Sequence, residues 1–126
     1  MSGETPNILV VDDQKSMQEF LDIMLSKEGY RVITAEDGEA VPPLMAKEHF
    51  DLIITDIRMK NVHGIDVLKN VKALSPDTTV ILISAYATAE TAVEAMKEGA
   101  FDYIPKPFKV NDFKKIVADA LQSKGR

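Results

Sequence analysis

The chain reads as an α/β domain whose parallel sheet is covered by helices on both faces. Three observations predict this. The continuous apolar runs at 8–11, 52–55 and 80–83 are short enough for strands and apolar enough to be buried on both sides. Stretches with apolar residues at helical spacing lie between them. The two kinds of segment alternate five times, which calls for right-handed crossovers and therefore parallel strands.

The elements follow in order. Residues 8–11, ILVV, form the first strand. Met17, Phe20, Leu21, Met24 and Leu25 repeat at i, i+3, i+4, i+7 and i+8 and predict a helix stopped by Gly29. Residues 31–35 alternate weakly and read as an edge strand. A second helix should follow Asp37, yet Pro42 and Pro43 fall where its second turn would be. A proline inside a helix removes a donor and crowds the preceding turn, at about 3 kcal/mol. The regular helix is therefore expected to begin near Pro42, or to be sharply distorted there. After the strand at 52–55, Val67, Leu68, Val71 and Leu74 predict a third helix ended by Ser75-Pro76. The strand at 80–83 precedes a fourth helical stripe, Ala89, Ala92, Val93 and Met96, closed by Gly99. Tyr103-Ile104 begins a short fifth strand, and Phe113, Ile116, Val117, Ala120 and Leu121 supply the last helix.

Composition narrows the function classes. A length of 126 residues fits one domain, expected over 7–122 between a disordered segment at 1–6 and a polar tail at 123–126. Twenty acidic against fifteen basic residues leave a net charge of −5, which argues against nucleic acid as a direct ligand. The absence of cysteine excludes a disulfide framework and a thiolate metal site. Residues 1–7, MSGETPN, have no signal-peptide pattern, and no apolar run approaches the ~20 residues of a membrane span. A soluble, cytoplasmic protein is expected, with no membrane partner.

Equivalent strands of a parallel sheet end at one rim, and ligands bind there, where the strand order reverses. That rim would hold Asp12, Asp13 and Gln14, then Asp56, Ile57 and Arg58, then Ser84, then Lys106-Pro107. Clustered carboxylates repel and desolvate badly, so a fold tolerates them mainly where a cation or a chemical task requires them. Three carboxylates, a hydroxyl and an ammonium group form a set suited to phosphoryl transfer. The acids would hold magnesium through hard oxygens. One carboxylate would be the nucleophile, with lysine and metal neutralising phosphoryl oxygens. Each residue alone has a plainer role, as a turn cap, a helix cap or a solvated lysine; the conjunction at four strand ends is what points to chemistry. His49 and His63 lie outside this set and read as surface residues.

The segments ILVVDDQ, DLIITDIRM, VILISAYA and GAFDYIPKPF, in this order and spacing, resemble the response-regulator receiver domains of two-component signalling. The resemblance implies a flavodoxin-like (βα)5 fold with strand order 2-1-3-4-5. It implies that Asp56 is the phosphoacceptor. Asp13 and Asp56 would bind magnesium directly, with manganese as a substitute, Asp12 largely through water, and the Arg58 backbone carbonyl would complete the protein ligands. Ser84 and Tyr103 match the switch positions and Lys106 the phosphoryl-binding lysine, with a cis Lys106–Pro107 peptide. The donor would be a phosphohistidine on a sensor histidine kinase. Capture of the phosphoryl group by Ser84 and Lys106 would favour an inward Tyr103. The output face, and the face for self-association, would be the fourth helix, fifth strand and fifth helix. Beyond self-phosphorylation and autodephosphorylation, no enzymatic activity is implied. The stretch 84–108 looks most like receivers of nitrogen-regulatory, sigma-54-dependent activators, which are joined to an ATPase and a DNA-binding segment.

The chain departs from the family in the loop DIRMKNVHG, residues 56–64, where Lys60 replaces a usual proline and Val62 a usual methionine; a less rigid loop is expected. Arg58 and Tyr86, each two residues beyond a site residue, are expected to shield an acyl phosphate from water. Three other readings compete. A phosphatase of the haloacid dehalogenase type needs Asp-x-Asp on its first strand and room for a cap. A flavodoxin-like cofactor carrier needs Ser, Thr and Gly donors where this chain has Asp-Asp-Gln. An unphosphorylated interaction module would leave the acidic set without a purpose.

Overall fold

The structure, a computed structural model, describes residues 5–59 and 62–123. Its elements are β1 (Asn7–Val11), α1 (Lys15–Lys27), β2 (Arg31–Ala35), a 3-10 turn (Gly38–Ala40), α2 (Val41–Lys47), β3 (Leu52–Asp56), α3 (Gly64–Leu74), β4 (Thr79–Ser84), α4 (Ala89–Lys97), β5 (Asp102–Pro105) and α5 (Val110–Ser123). All strand pairs are parallel, in the order β2-β1-β3-β4-β5. The fold class and strand order expected from the sequence are those observed. Lys60, residues 1–4 of the expected N-terminal segment and residues 124–126 of the expected tail lie outside the described residues.

Successive strand side chains enter opposite cores, which fixes where the helices lie. Ile8, Val10, Leu52, Ile54, Ile81 and Ile83 pack under α1 and α5, against Leu21, Leu25, Phe113 and Val117. Leu9, Val11, Ile53, Val80 and Leu82 pack on the other face, against Val41, Val67, Leu68 and Val71. Because β1 has β2 on one side and β3 on the other, the chain leaves β1 and β3 in opposite directions. A crevice opens between the two carboxyl ends.

The prolines act as expected. Asp37 accepts a hydrogen bond from the Glu39 N–H (2.9 Å) and caps a single 3-10 turn. α2 then starts at Val41, with both prolines in its first turn, where their missing N–H groups have no intrahelical partner to lose. Gly29 and Gly99 follow α1 and α4 at positive φ (93° and 102°), the conformation that ends a helix and favours glycine.

The apolar stripe of α4 requires a correction. The helix is present, but Val93 is 58% and Met96 50% exposed, and Ala95 is its one buried residue. A small side chain on the inner face lets α4 lie close to the core, so the larger apolar groups are left turned outward. Phe20 and Leu74 likewise sit at the exposed margins of α1 and α3.

Candidate functional site

β1 and β3 pair in register through Val11 and Thr55, so the next residues, Asp12 and Asp56, emerge side by side. With Asp13 they present carboxylate oxygens all within 4.8 Å of one another. Asp12 and Asp56 are buried and Asp13 is exposed.

Every polar group of Asp12 is engaged. Its N–H donates to the Ala35 carbonyl (3.0 Å), its Oδ1 accepts from the Gln14 N–H (2.9 Å), its Oδ2 accepts from Lys106 Nζ (3.2 Å), and its carbonyl accepts from Gln18 Nε2 (2.7 Å). The Oδ1 of Asp56 accepts from the Ile57 N–H (2.7 Å), and its Oδ2 faces Lys106 Nζ at 3.4 Å. One ammonium group thus bridges two buried carboxylates that come from strands far apart in sequence. Burial nonetheless pushes the Asp56 carboxyl above its ordinary range; Lys106 opposes that rise and Asp12 adds to it.

Two nearby loops complete the rim. Ser84 is buried at the end of β4, and its Oγ accepts the Tyr86 N–H (3.0 Å). The Lys106 N–H donates to the Ser84 carbonyl (2.8 Å), and the Lys106–Pro107 peptide is cis. The Arg58 guanidinium lies 4.7 Å from the centre of the Tyr86 ring, so the loops after β3 and β4 meet in a cation–π contact. Both side chains are exposed. Tyr103 is half-buried, its hydroxyl 2.6 Å from Thr91 Oγ1 on α4. His63 caps α3 by accepting the Ile65 N–H, both histidines are exposed, and neither belongs to the acidic cluster.

The donor set fits a hard divalent cation. Three carboxylates close enough to share one ion, with no sulfur or imidazole among them, match the all-oxygen preference of magnesium. Lys106 supplies the positive charge that partly balances the cluster.

Sequence reasoning singled out most of these residues but gave no role to Thr91, Gly64 or Gln18. Gly64 opens α3 directly against β3: its N–H donates to the Ile57 carbonyl (2.7 Å), and a Cβ there would collide with the Asp56 carbonyl oxygen. Its place as the lone glycine of the loop after Asp56 was the available signal. Gln18, the donor to the Asp12 carbonyl, carries no comparable mark.

Comparison with known proteins identifies a family for this fold. The response regulator receiver domain matches residues 8–118. The transcriptional regulatory protein ZraR of Klebsiella oxytoca is 40% identical over 121 residues, covering 96% of this chain and 27% of that protein. The regulatory protein AtoC of Escherichia coli (strain K12) is 41% identical over 115 residues, covering 91% and 25%. The chain therefore spans about a quarter of the length of these curated relatives. Among solved structures, the beryllofluoride-activated NtrC4 receiver domain dimer superposes with a TM-score of 0.89 at 32% identity, covering 93% of this chain and 97% of that one.

Proposed function

The chain belongs to the response regulator receiver domains, and from that membership we propose that Asp56 accepts a phosphoryl group from a histidine kinase phosphohistidine. The observation that carries this reading is the convergence of Asp12, Asp13 and Asp56 beside the Lys106 ammonium. An Asp56 carboxylate oxygen attacks phosphorus, the O–P bond forms, the N–P bond to the histidine breaks, and the ring, already protonated on its other nitrogen, leaves as neutral imidazole. Asp12, Asp13, Asp56 and the Arg58 carbonyl would hold magnesium, or manganese in its place, which when bound neutralises phosphoryl oxygens. Lys106 reaches a second phosphoryl oxygen, and Ser84 donates its hydroxyl to a third. Tyr103 then exchanges its contact with Thr91 for an inward position, which changes the α4–β5–α5 face.

Water later hydrolyses the acyl phosphate and restores Asp56. In this reading the chain modifies only itself and turns over no external substrate. The exposed Val93 and Met96 support a homodimer through α4–β5–α5, and the NtrC4 receiver is described as a dimer. The output is regulation of transcription, as the name of the ZraR relative suggests, with a sigma-54-dependent mechanism resting on the resemblance of residues 84–108 and DNA contacted by other parts of such proteins. The cytoplasm is the proposed location; among the described residues no helix is long and apolar enough to cross a membrane. The phosphatase alternative is not favoured, because the first-strand acids are adjacent and the receiver match spans the fold.

The test is intact mass before and after incubation with magnesium and a small acyl phosphate. The wild type gains one phosphate and Asp56→Asn gains none. Labelling of the variant, or turnover of an external phosphate ester by the wild type, would refute the reading.

The Arg58–Tyr86 contact makes a second expectation specific. A cation–π pair at an exposed site contributes about 0.5–1 kcal/mol, so Arg58→Ala and Tyr86→Ala should each speed phosphate release by roughly two- to fivefold. Unchanged release rates in both variants would remove these residues from the control of lifetime.

A further inference from the structure

We propose that Gln18 is a positioning residue for the cation site: its amide grips the Asp12 carbonyl and thereby aims the Asp13 carboxylate. The inference rests on the phosphoacceptor reading above and adds to it a residue from the body of α1.

The Asp12 carbonyl belongs to the peptide unit that joins Asp12 to Asp13. That unit is planar, so holding its oxygen constrains the N–H and Cα of Asp13. With the Gln14 N–H bonded to Asp12 Oδ1 on the other side, the two soft torsions of Asp13, and so the direction in which its side chain leaves, are restrained from both ends. Gln18 Nε2 holds the oxygen at 2.7 Å from a half-buried position. The Asp12 carboxylate has its own anchors, the Gln14 N–H and Lys106. Asp13 has none comparable: among the described residues, no hydrogen bond or ion pair holds its exposed carboxylate. Its aim therefore depends on the backbone that carries it.

The start of α1 makes Gln18 harder to replace. Gln14, at the N-cap, makes no side-chain cap bond, and no acid stands in the first turn. Gln18 also donates its own N–H to the Gln14 carbonyl (3.1 Å), so one residue is tied to the chain on both sides of Asp13. Without the amide the turn keeps the Asp12 side-chain bond but loses its grip on the Asp12–Asp13 peptide.

Two substitutions separate positioning from charge. Gln18→Met keeps the length and loses the donor. Gln18→Glu keeps the shape, loses the donor and brings a negative charge toward the cation. If the hydrogen bond matters, both weaken magnesium binding by roughly tenfold, as loss of an outer-shell partner does. If only charge matters, Gln18→Glu binds magnesium more tightly than the wild type.

The experiment is a calorimetric magnesium titration of the 126-residue chain and both variants, with metal-free melting curves and amide NMR spectra alongside. Weaker binding by both variants, with the Asp13 and Gln14 amides shifted in the metal-free spectra, supports the proposal. A lower Tm with unchanged magnesium affinity assigns Gln18 to stability alone and overturns it. Tighter binding by Gln18→Glu also overturns it. Failure of the wild type itself to bind magnesium would instead remove the phosphoacceptor reading on which it rests.

Discussion

Asp56→Asn will take up no phosphate under conditions that label the wild type, and without magnesium at neutral pH it will unfold at a higher temperature. The first result follows from loss of the nucleophile. The second follows from what the carboxylate experiences in the fold. Burial raises its pKa, the Asp12 charge raises it further, and Lys106 and the Ile57 N–H only partly offset them. A folded pKa above the unfolded value means that the native state holds its proton more tightly. The stabilising contribution of Asp56 is then complete at pH below its ordinary value of 3.8, and it is lost as pH rises through the raised folded value. At neutral pH the ionised group is a liability that asparagine, of the same shape and uncharged, removes. A gain of roughly 1 kcal/mol is expected, the usual size when a destabilising active-site group is relieved, or about 3–5 °C in Tm for a domain of this size. Melting curves from pH 4 to 8 should show the gap between the two proteins opening as pH rises. Magnesium should narrow it, because an ion that binds only the native wild type stabilises it by mass action. Coincident curves at every pH would mean that the cluster carries no such strain.

How much of this was legible depends on what a sequence encodes locally. The apolar runs ending in Asp12-Asp13 and Asp56 state both that a strand is buried on two faces and where it stops. Pro42 and Pro43 fix the start of α2 because their effect is confined to their own turn. The stripe on α4 was visible, but its direction was not. Periodicity says that Val93 and Met96 share a face, and only packing decides that Ala95 points inward. Val62, where the family usually has methionine, still packs against the core, so that part of the expected loosening has no counterpart in the packing. Spacing marked Arg58 and Tyr86 one by one, but their contact with each other, like the reach of Gln18 to Asp12, depends on side-chain geometry across turns that spacing does not reveal.

Gly64→Ala is expected to be the most damaging single methyl group that can be added near the site. A Cβ at this position would overlap the Asp56 carbonyl oxygen and stand 2.7 Å from Ile57 Cα and 3.0 Å from the Asp56 carbonyl carbon. All of these are backbone atoms, so no rotamer change relieves the contact. At Gly38, by contrast, the neighbours are the side chains of Val67 and Val62, which have more freedom to shift. For alanine to fit at 64, the first turn of α3 must move off the end of β3. That movement breaks the bond from the Gly64 N–H to the Ile57 carbonyl and displaces the peptide that carries Asp56. Overpacking of this kind costs about 2–3 kcal/mol, a Tm fall of roughly 10 °C, and phosphate uptake should slow well beyond what the stability loss explains. Gly29→Ala is the control. It introduces a side chain at positive φ into open space at the far end of α1, so it should lower Tm yet leave uptake at the wild-type rate when both are assayed well below their melting temperatures. If the two alanine variants slow uptake equally, the close approach of Gly64 to Asp56 has no part in placing the phosphoacceptor.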